Sequence, residues 1–467
     1  MQIPILNGIY TDSAPDFRTS YPVNYKPVPK QTGIAAGYLR PADGILSEGT
    51  GPGVDRGGIE WNGILYRVMG SKLVRIDAGG TVTTLGDVGT DGKMVSFDYG
   101  FDRLAITSNG DLFYWDGTTL TQVTDPDLGI ALDVIWIDGY YMTTDGESLV
   151  VTDLDDPTSV NPLKYGSSEA DPDPVNALLK LRNEAVALNR HTIEFFDNIG
   201  GTLFPFQRIE GAQMEKGCIG THACCIYLEQ VAFLGSGWNE QPSIYLGVNG
   251  QSPSISTHEI DTILQGYTEA VLADVKLEAR NDKGHELLYV HLPDRTLVYD
   301  AAASQVVGEA VWFVLTSTDE GFSRYRAQNF VWCYDKWCVA DPLTASVGRF
   351  VDTVSTHWGQ DVRWEFATSI VYNEGRGGIF HEMELVALTG SYQLGATPVI
   401  TTSYSVDGVE WSLDRTISAG VQGERAKRLV WFGQGMMRNW RVQRFRGTSA
   451  AHMAVARLEG RLEPLAA

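Results

Sequence analysis

The sequence predicts an all-β protein: a β-propeller of six or seven blades, with an extended N-terminal arm before it and a C-terminal β-sandwich domain after it. Three observations predict this. Glycine fills 50 of 467 positions and aromatics 10%, well above the usual ~7% glycine, a mix suited to short strands and tight turns. Brief apolar runs are split by Asn-Gly and Asp-Gly, whose ease with positive φ makes them the strongest local hairpin signal. Finally, a strand-like unit returns at a near-regular interval.

Residues 1–56 read as an arm. Pro22, Pro27, Pro29, Pro41 and Pro52 exclude regular helix there, and an arm with little core of its own depends on another surface for order. Residues 57–352 read as the propeller. Ile64–Val68 runs through Gly70-Ser71 into Lys72–Ile76, and Leu104–Thr107 through Asn109-Gly110 into Leu112–Trp115, then through Asp116-Gly117 into Leu120–Val123. Comparable second-strand positions fall at Ile64, Leu104, Tyr140, Val186, Val231, Leu288 and Val331, with gaps of 40, 36, 46, 45, 57 and 43 residues. Propeller blades repeat every ~40–50 residues. No helix-length amphipathic stretch separates the strands, which excludes alternating βα units. Pro174–Ala187 fits either a short helix or a strand pair. Residues 353–467 read as a smaller sandwich, with strands expected over Val362–Val371, His381–Leu388, Val399–Ser405, Arg428–Phe432 and Arg438–Phe445, and a turn at Asp407-Gly408.

The formal charge is -22, which excludes holding DNA through a Lys/Arg footprint on its phosphates. Residues 418–467 differ, with nine Lys/Arg against three Glu, so the remainder carries -28. That asymmetry predicts that the basic end meets an acidic surface, such as a neighbouring copy. The start, Met1 to Gly8, lacks the basic and apolar regions of a signal peptide, and no run matches a membrane span. Five cysteines without framework spacing fit synthesis in a reducing cytoplasm.

Chemistry-bearing motifs are sparse. Ser405–Trp411 superficially resembles an Asp-box hairpin, but its glycine sits one position early and it occurs once, so a plain turn is expected. Asp153–Asp156 and Asp171–Pro174 lack the glycine and distal Glu of a calcium loop. Cys218, Cys224, Cys225, Cys333 and Cys338 lack paired zinc spacing. His381-Glu382-Met383-Glu384 has no second histidine at the metalloprotease offset. No catalytic, cofactor-binding or metal-ligating residue is therefore expected.

Two blocks carry a resemblance. Gly37-Tyr38-Leu39-Arg40, Gly44-Ile45, Arg56-Gly57, Tyr66–Val68 and Lys72-Leu73 occur in order. The stretch His285–Pro293 then leads to Leu297–Ala301 and Ser304-Gln305. Together they resemble the packaged-DNA stabilisation protein, or tail hub (nozzle), of short-tailed bacteriophages of the type infecting Salmonella. The resemblance implies a structural virion protein without catalysis or cofactor. It implies a homo-hexamer below the portal and its adaptor ring that continues the DNA channel, closes the filled head, and holds the tail needle or plug and the tailspikes or fibres. Double-stranded DNA would pass through it without sequence-specific binding. From the residues alone, His285–Pro293 is a strand buried on both faces. Gly37–Arg40 either closes the propeller or docks on a neighbour. Two rivals are a glycan-acting propeller enzyme, with acids converging in the central funnel, and a receptor- or carbohydrate-binding protein, with an exposed aromatic face at Trp411, Trp431 or Trp440.

Overall fold

Seven four-stranded antiparallel sheets follow one another in the computed structural model, which describes residues 1–11, 16–29, 37–154, 156–247, 249–392 and 394–465. Blade 1 comprises Asp55–Trp61, Ile64–Met69, Lys72–Ile76 and Val82–Asp87; blade 2, Ser96–Tyr99, Leu104–Ser108, Asp111–Trp115 and Leu120–Gln122. Blade 3 comprises Asp133–Ile137, Tyr140–Thr144, Ser148–Val151 and Gly166–Ser167; blade 4, Val175–Leu181, Glu184–Asn189, Ile193–Asn198 and Phe206–Arg208. Blade 5 is built on Cys224–Tyr227 (prolonged by Gly217–Cys218), Gln230–Ser236 and Ser243–Gly247. Blade 6 comprises Lys276–Asp282, His285–His291, Thr296–Asp300 and Trp312–Leu315.

Blade 7 has Gln328–Cys333, Lys336–Ala340 and Ser346–Val351, and its outer strand is Gly44–Thr50 from the other end of the chain. The ring is thus closed by a strand that precedes blade 1 in sequence. First strands of successive blades pack against each other around the axis.

Six of the seven expected second-strand positions lie on second strands; Val331 instead lies on the first strand of blade 7. That blade borrows its outer strand, so its own run begins at the axis. The long 57-residue gap holds the helices His258–Gln265 and Glu269–Ala273 between blades 5 and 6. Thr257 caps the first of them, and Ala301–Val307, capped by Asp300, is a third helix. Pro174–Ala187 resolves as a strand pair. His285–His291 is buried on both faces as expected, except for half-buried Glu286.

The sandwich has a seven-stranded sheet in the order Leu429–Phe432, Gly378–Ala387, Val455–Pro464, Gly37–Pro41, Tyr25–Pro29, joined by Gln2–Ile3 and Met436–Met437. The facing sheet holds Arg363–Ala367, Trp440–Thr448, Val399–Ser405 and Arg415–Ser418, with Val371–Tyr372 alongside. Between them lies a core in which Ile3, Ile5, Tyr25 and Leu39 meet Trp364, Phe366, Met383, Trp431 and Phe445. The surfaces on which the arm depends are therefore the chain's own: the sandwich for Gln2–Ile3, Tyr25–Pro29 and Gly37–Pro41, and blade 7 for Gly44–Thr50. Gly37–Arg40 does not close the propeller; it pairs with Tyr25–Pro29, and Leu39 meets Val455.

A hairpin, Gly8–Thr11 with Phe17–Ser20, ties the two bodies together. Thr11 Oγ1 donates to the Asp407 carbonyl of the sandwich (2.8 Å), and the Tyr10 hydroxyl to Glu259 of the first helix (2.8 Å).

The propeller axis and candidate interaction surfaces

Edge strands present unpaired amides, and seven inner strands meet at the axis. Every blade junction there carries a hydrogen bond. Val95 N–H donates to the Arg56 carbonyl between blades 1 and 2 (3.0 Å). Asp98 accepts from Trp136 N–H (2.5 Å), and Asp133 from Leu178 N–H (2.8 Å). Asn176 Nδ2 donates to the Cys218 carbonyl (2.8 Å), and Leu277 N–H to the His222 carbonyl (2.9 Å). Glu278 accepts from Asn329 N–H (3.0 Å) and Phe330 N–H (3.2 Å). Asn329 Nδ2 donates to Asp55 (2.5 Å), whose other neighbour, Arg67 Nη1, stands 3.1 Å away.

Burial and pairing set these acids apart. Burial pushes the Asp133 carboxyl up to about 6. Burial alone would raise Glu278 too, but Lys276 and His291 outweigh it and hold the group at about 2. Acids do gather along the shaft, as the enzyme rival requires, yet each named here is engaged in joining one blade to the next. A 350 Å³ cleft along the axis is lined by these inner strands, including Asp98, Asp133, Lys180 and Lys276.

A second buried cluster locks the arm. Asp43 faces Lys26 Nζ at 2.8 Å and Arg280 Nη1 at 2.9 Å, all three within the interior. Burial would raise the Asp43 carboxyl; the two cations win and hold it well below the usual range. Sequence reasoning missed these residues, because an isolated Lys or Asp in a proline-rich stretch signals nothing until its partner is known.

The motifs weighed in the sequence fall into place. Asp407 accepts from Val409 and Glu410 N–H (2.9 Å each) with Gly408 at φ 78°, a turn. Asp153 pairs with Lys164, Asp156 caps Thr158, and Asp173 accepts from Thr192 Oγ1; Asp155 lies outside the described residues. His381 sits on a strand against Glu463 (2.6 Å). The five cysteines are unpaired thiols, and the described residues contain no cluster suited to a metal. Of the tryptophans weighed as an aromatic face, Trp431 is buried, Trp411 lies under Arg444 at 4.0 Å, and Trp440 is half-buried and edge-on to Phe17 at 6.1 Å.

Most of the basic C-terminal segment is engaged within its own domain. Lys427 faces Glu424, Arg428 Glu384, Arg446 Asp414 and Arg457 Glu459, while Arg441 is buried over Phe380 and Tyr404. Among the described residues, open clefts on the outside include two that flank exposed apolar side chains. One of 540 Å³ lies between blades 2 and 3, beside Phe101, Trp136, Asp138 and Leu154; the other, of 520 Å³, lies beside Tyr38, Leu388 and Met453 on the sandwich. No helix among the described residues is long and apolar enough to cross a membrane.

Two family models match this chain: one described as bacteriophage P22 Gp10, beta-propeller, over residues 1–355, and one as bacteriophage P22 Gp10, beta-sandwich, over residues 363–463. The tail hub protein gp10 of Salmonella phage P22 is 28% identical over 461 residues, 94% of each chain. Among solved structures, the WD40 domain of Neurospora crassa Pan2 aligns with a TM-score of 0.43 at 10% identity, covering 66% of this chain and 95% of that one. The computationally designed Ika8 protein aligns at 0.38 and 11%, covering 66% and 100%.

Proposed function

The chain belongs to the bacteriophage P22 Gp10 family, and from that premise we propose that it is a structural tail hub, or nozzle, of a phage particle. It assembles as a homo-hexameric ring below the portal and its adaptor ring, retains packaged DNA, forms part of the ejection channel, and anchors the needle or plug and the tailspikes or fibres. It is made in the host cytoplasm, resides in the virion tail, and turns over no substrate.

One observation carries this reading: the match to a tail hub protein runs through both folded bodies and 94% of both chains. The architecture suits the role. Propeller and sandwich share strands from one arm, which favours a stiff wall segment over two independently moving modules. We divide the chain into an arm (1–56), a propeller (57–352) and a sandwich (353–467), with the arm's strands distributed between the other two.

Imaging of intact particles carrying a labelled copy tests the proposal. The label should appear between portal vertex and tail tip, in six-fold arrangement. Label at the distal tip alone would replace the hub reading with a receptor-binding one.

A further inference from the structure

Charge is concentrated on one side of the propeller. Residues 98–198, in blades 2 to 4, hold nineteen Asp and Glu against five Lys and Arg, a net -14 shared between the axis and both ends. Asp102, Asp116, Asp138, Asp153, Asp156 and Asp197 lie at or beside the turns after first and third strands. The same blades expose apolar side chains. Phe101 (92% exposed) follows the first strand of blade 2, Leu154 (54%) the third strand of blade 3, and Ile199 and Leu203 the third strand of blade 4. Turns after first and third strands lie at one end of an antiparallel meander, so these residues share one end of the propeller, around the 540 Å³ cleft.

The sandwich carries the complement. Leu429–Phe432 is an edge strand, and Phe432 (68% exposed) and Met436 (48%) stand open beside it. Strand register places Arg376, Arg438 and Arg461 near them: Ile379 pairs with Met436, Gly378 with Met437 and Pro464, and Glu382 with both Phe432 and Arg461. Arg415 donates to the Phe432 carbonyl (2.9 Å). None of these four arginines has a carboxylate partner within 4.0 Å among the described residues, while Glu463 faces His381 and Glu384 faces Arg428; Glu374 and Glu382 are further acids on this edge.

The two surfaces lie on opposite sides. Val23 bridges both Val314 of blade 6 and Glu365 of the sandwich, and Ile45 of blade 7 bridges His357, so the sandwich joins the rim at blades 6 and 7. In a seven-bladed ring, blade 3 stands across from that junction.

We propose that copies of this chain meet head to tail, the arginine edge of one sandwich seated on the acidic, apolar-studded end of blades 2 to 4 in the next. Unlike surfaces on opposite sides of one subunit generate a closed ring when the rotation per subunit permits. Opposite charge sets register, and the open apolar groups supply desolvated contact. This inference rests on the ring reading above and names its contact surfaces.

The test is charge exchange in a phage deleted for this gene and supplied with the full chain. Asp102→Lys with Asp156→Lys and Asp197→Lys, or Arg376→Glu with Arg438→Glu and Arg461→Glu, should each cut copies per particle about tenfold or more. Both sets in one chain should restore copy number to about wild type, which also shows that the substituted chains fold. If either set alone assembles like wild type, or the combination stays as poor as its parents while melting normally, the inference falls and the ring reading stands. If the wild-type chain is not a multi-copy component of particles, the ring reading itself fails.

Discussion

Asp133 and Asp43 are two buried carboxylates whose titration should pull stability in opposite directions. Asp133 bridges blades 3 and 4 through Leu178 N–H, and burial sets its carboxyl at about 6 against 3.8 when free. Between those values the folded chain binds more protons than the unfolded one, so stability falls as pH rises through that window. In Asp133→Asn this slope should vanish. Denaturant melts should find the wild type losing about 3 kcal/mol relative to the variant between pH 4 and 7; an unchanged difference would contradict the assignment. Asp43 lies below its free value because Lys26 and Arg280 outweigh burial. Its contribution is present above the free carboxyl's range and lost as pH falls below it. Asp43→Ala leaves Lys26 and Arg280 with Asp282 as their remaining anion, at 3.7 and 3.2 Å, and should cost about 3 kcal/mol at neutral pH by the same melts.

Closure of the ring hangs on one strand pairing, Gly44–Thr50 with Ser346–Val351. A side chain at Gly348 would begin 2.1 Å from the Leu46 carbonyl oxygen. Gly348→Val should therefore push the closing strand away, lower stability by about 3 kcal/mol and open residues 44–50 to protease; unaltered digestion would contradict that geometry. The strands themselves were readable: alternation around Asn109-Gly110 and Asp116-Gly117 marks blade 2, and Ile64 through Leu288 track the second strands of six blades. What each N-terminal strand pairs with was not, since residues 44–50 find their partner some 300 positions later. Tyr25–Pro29 looked like proline-rich coil, yet it is the outermost strand of its sheet, where a missing N–H leaves no ladder bond unmade. The axial acids Asp98, Asp133 and Glu278 were equally silent, because the bond each accepts from the next blade cannot be read from its own strand.

For the whole molecule, rigidity is the property that matters. Both chain ends enter one sandwich core, Met1 N donates to the Gly460 carbonyl (3.0 Å), and the Gly8–Ser20 hairpin spans from the Asp407 loop to the helix at Glu259. A wall segment under the pressure of a packed genome, the role proposed for this chain, needs such cross-bracing. Deleting the hairpin, residues 8–20, should split thermal unfolding into two separate transitions in calorimetry; one unbroken transition at the wild-type temperature would show that other contacts hold the bodies together. The central claim, that the chain retains DNA by forming a stiff ring in the tail, is tested most directly by measuring encapsidated genome in particles assembled without it. The account predicts empty heads, refilled when the wild-type chain is supplied during assembly; particles that keep their full genome in its absence would contradict it.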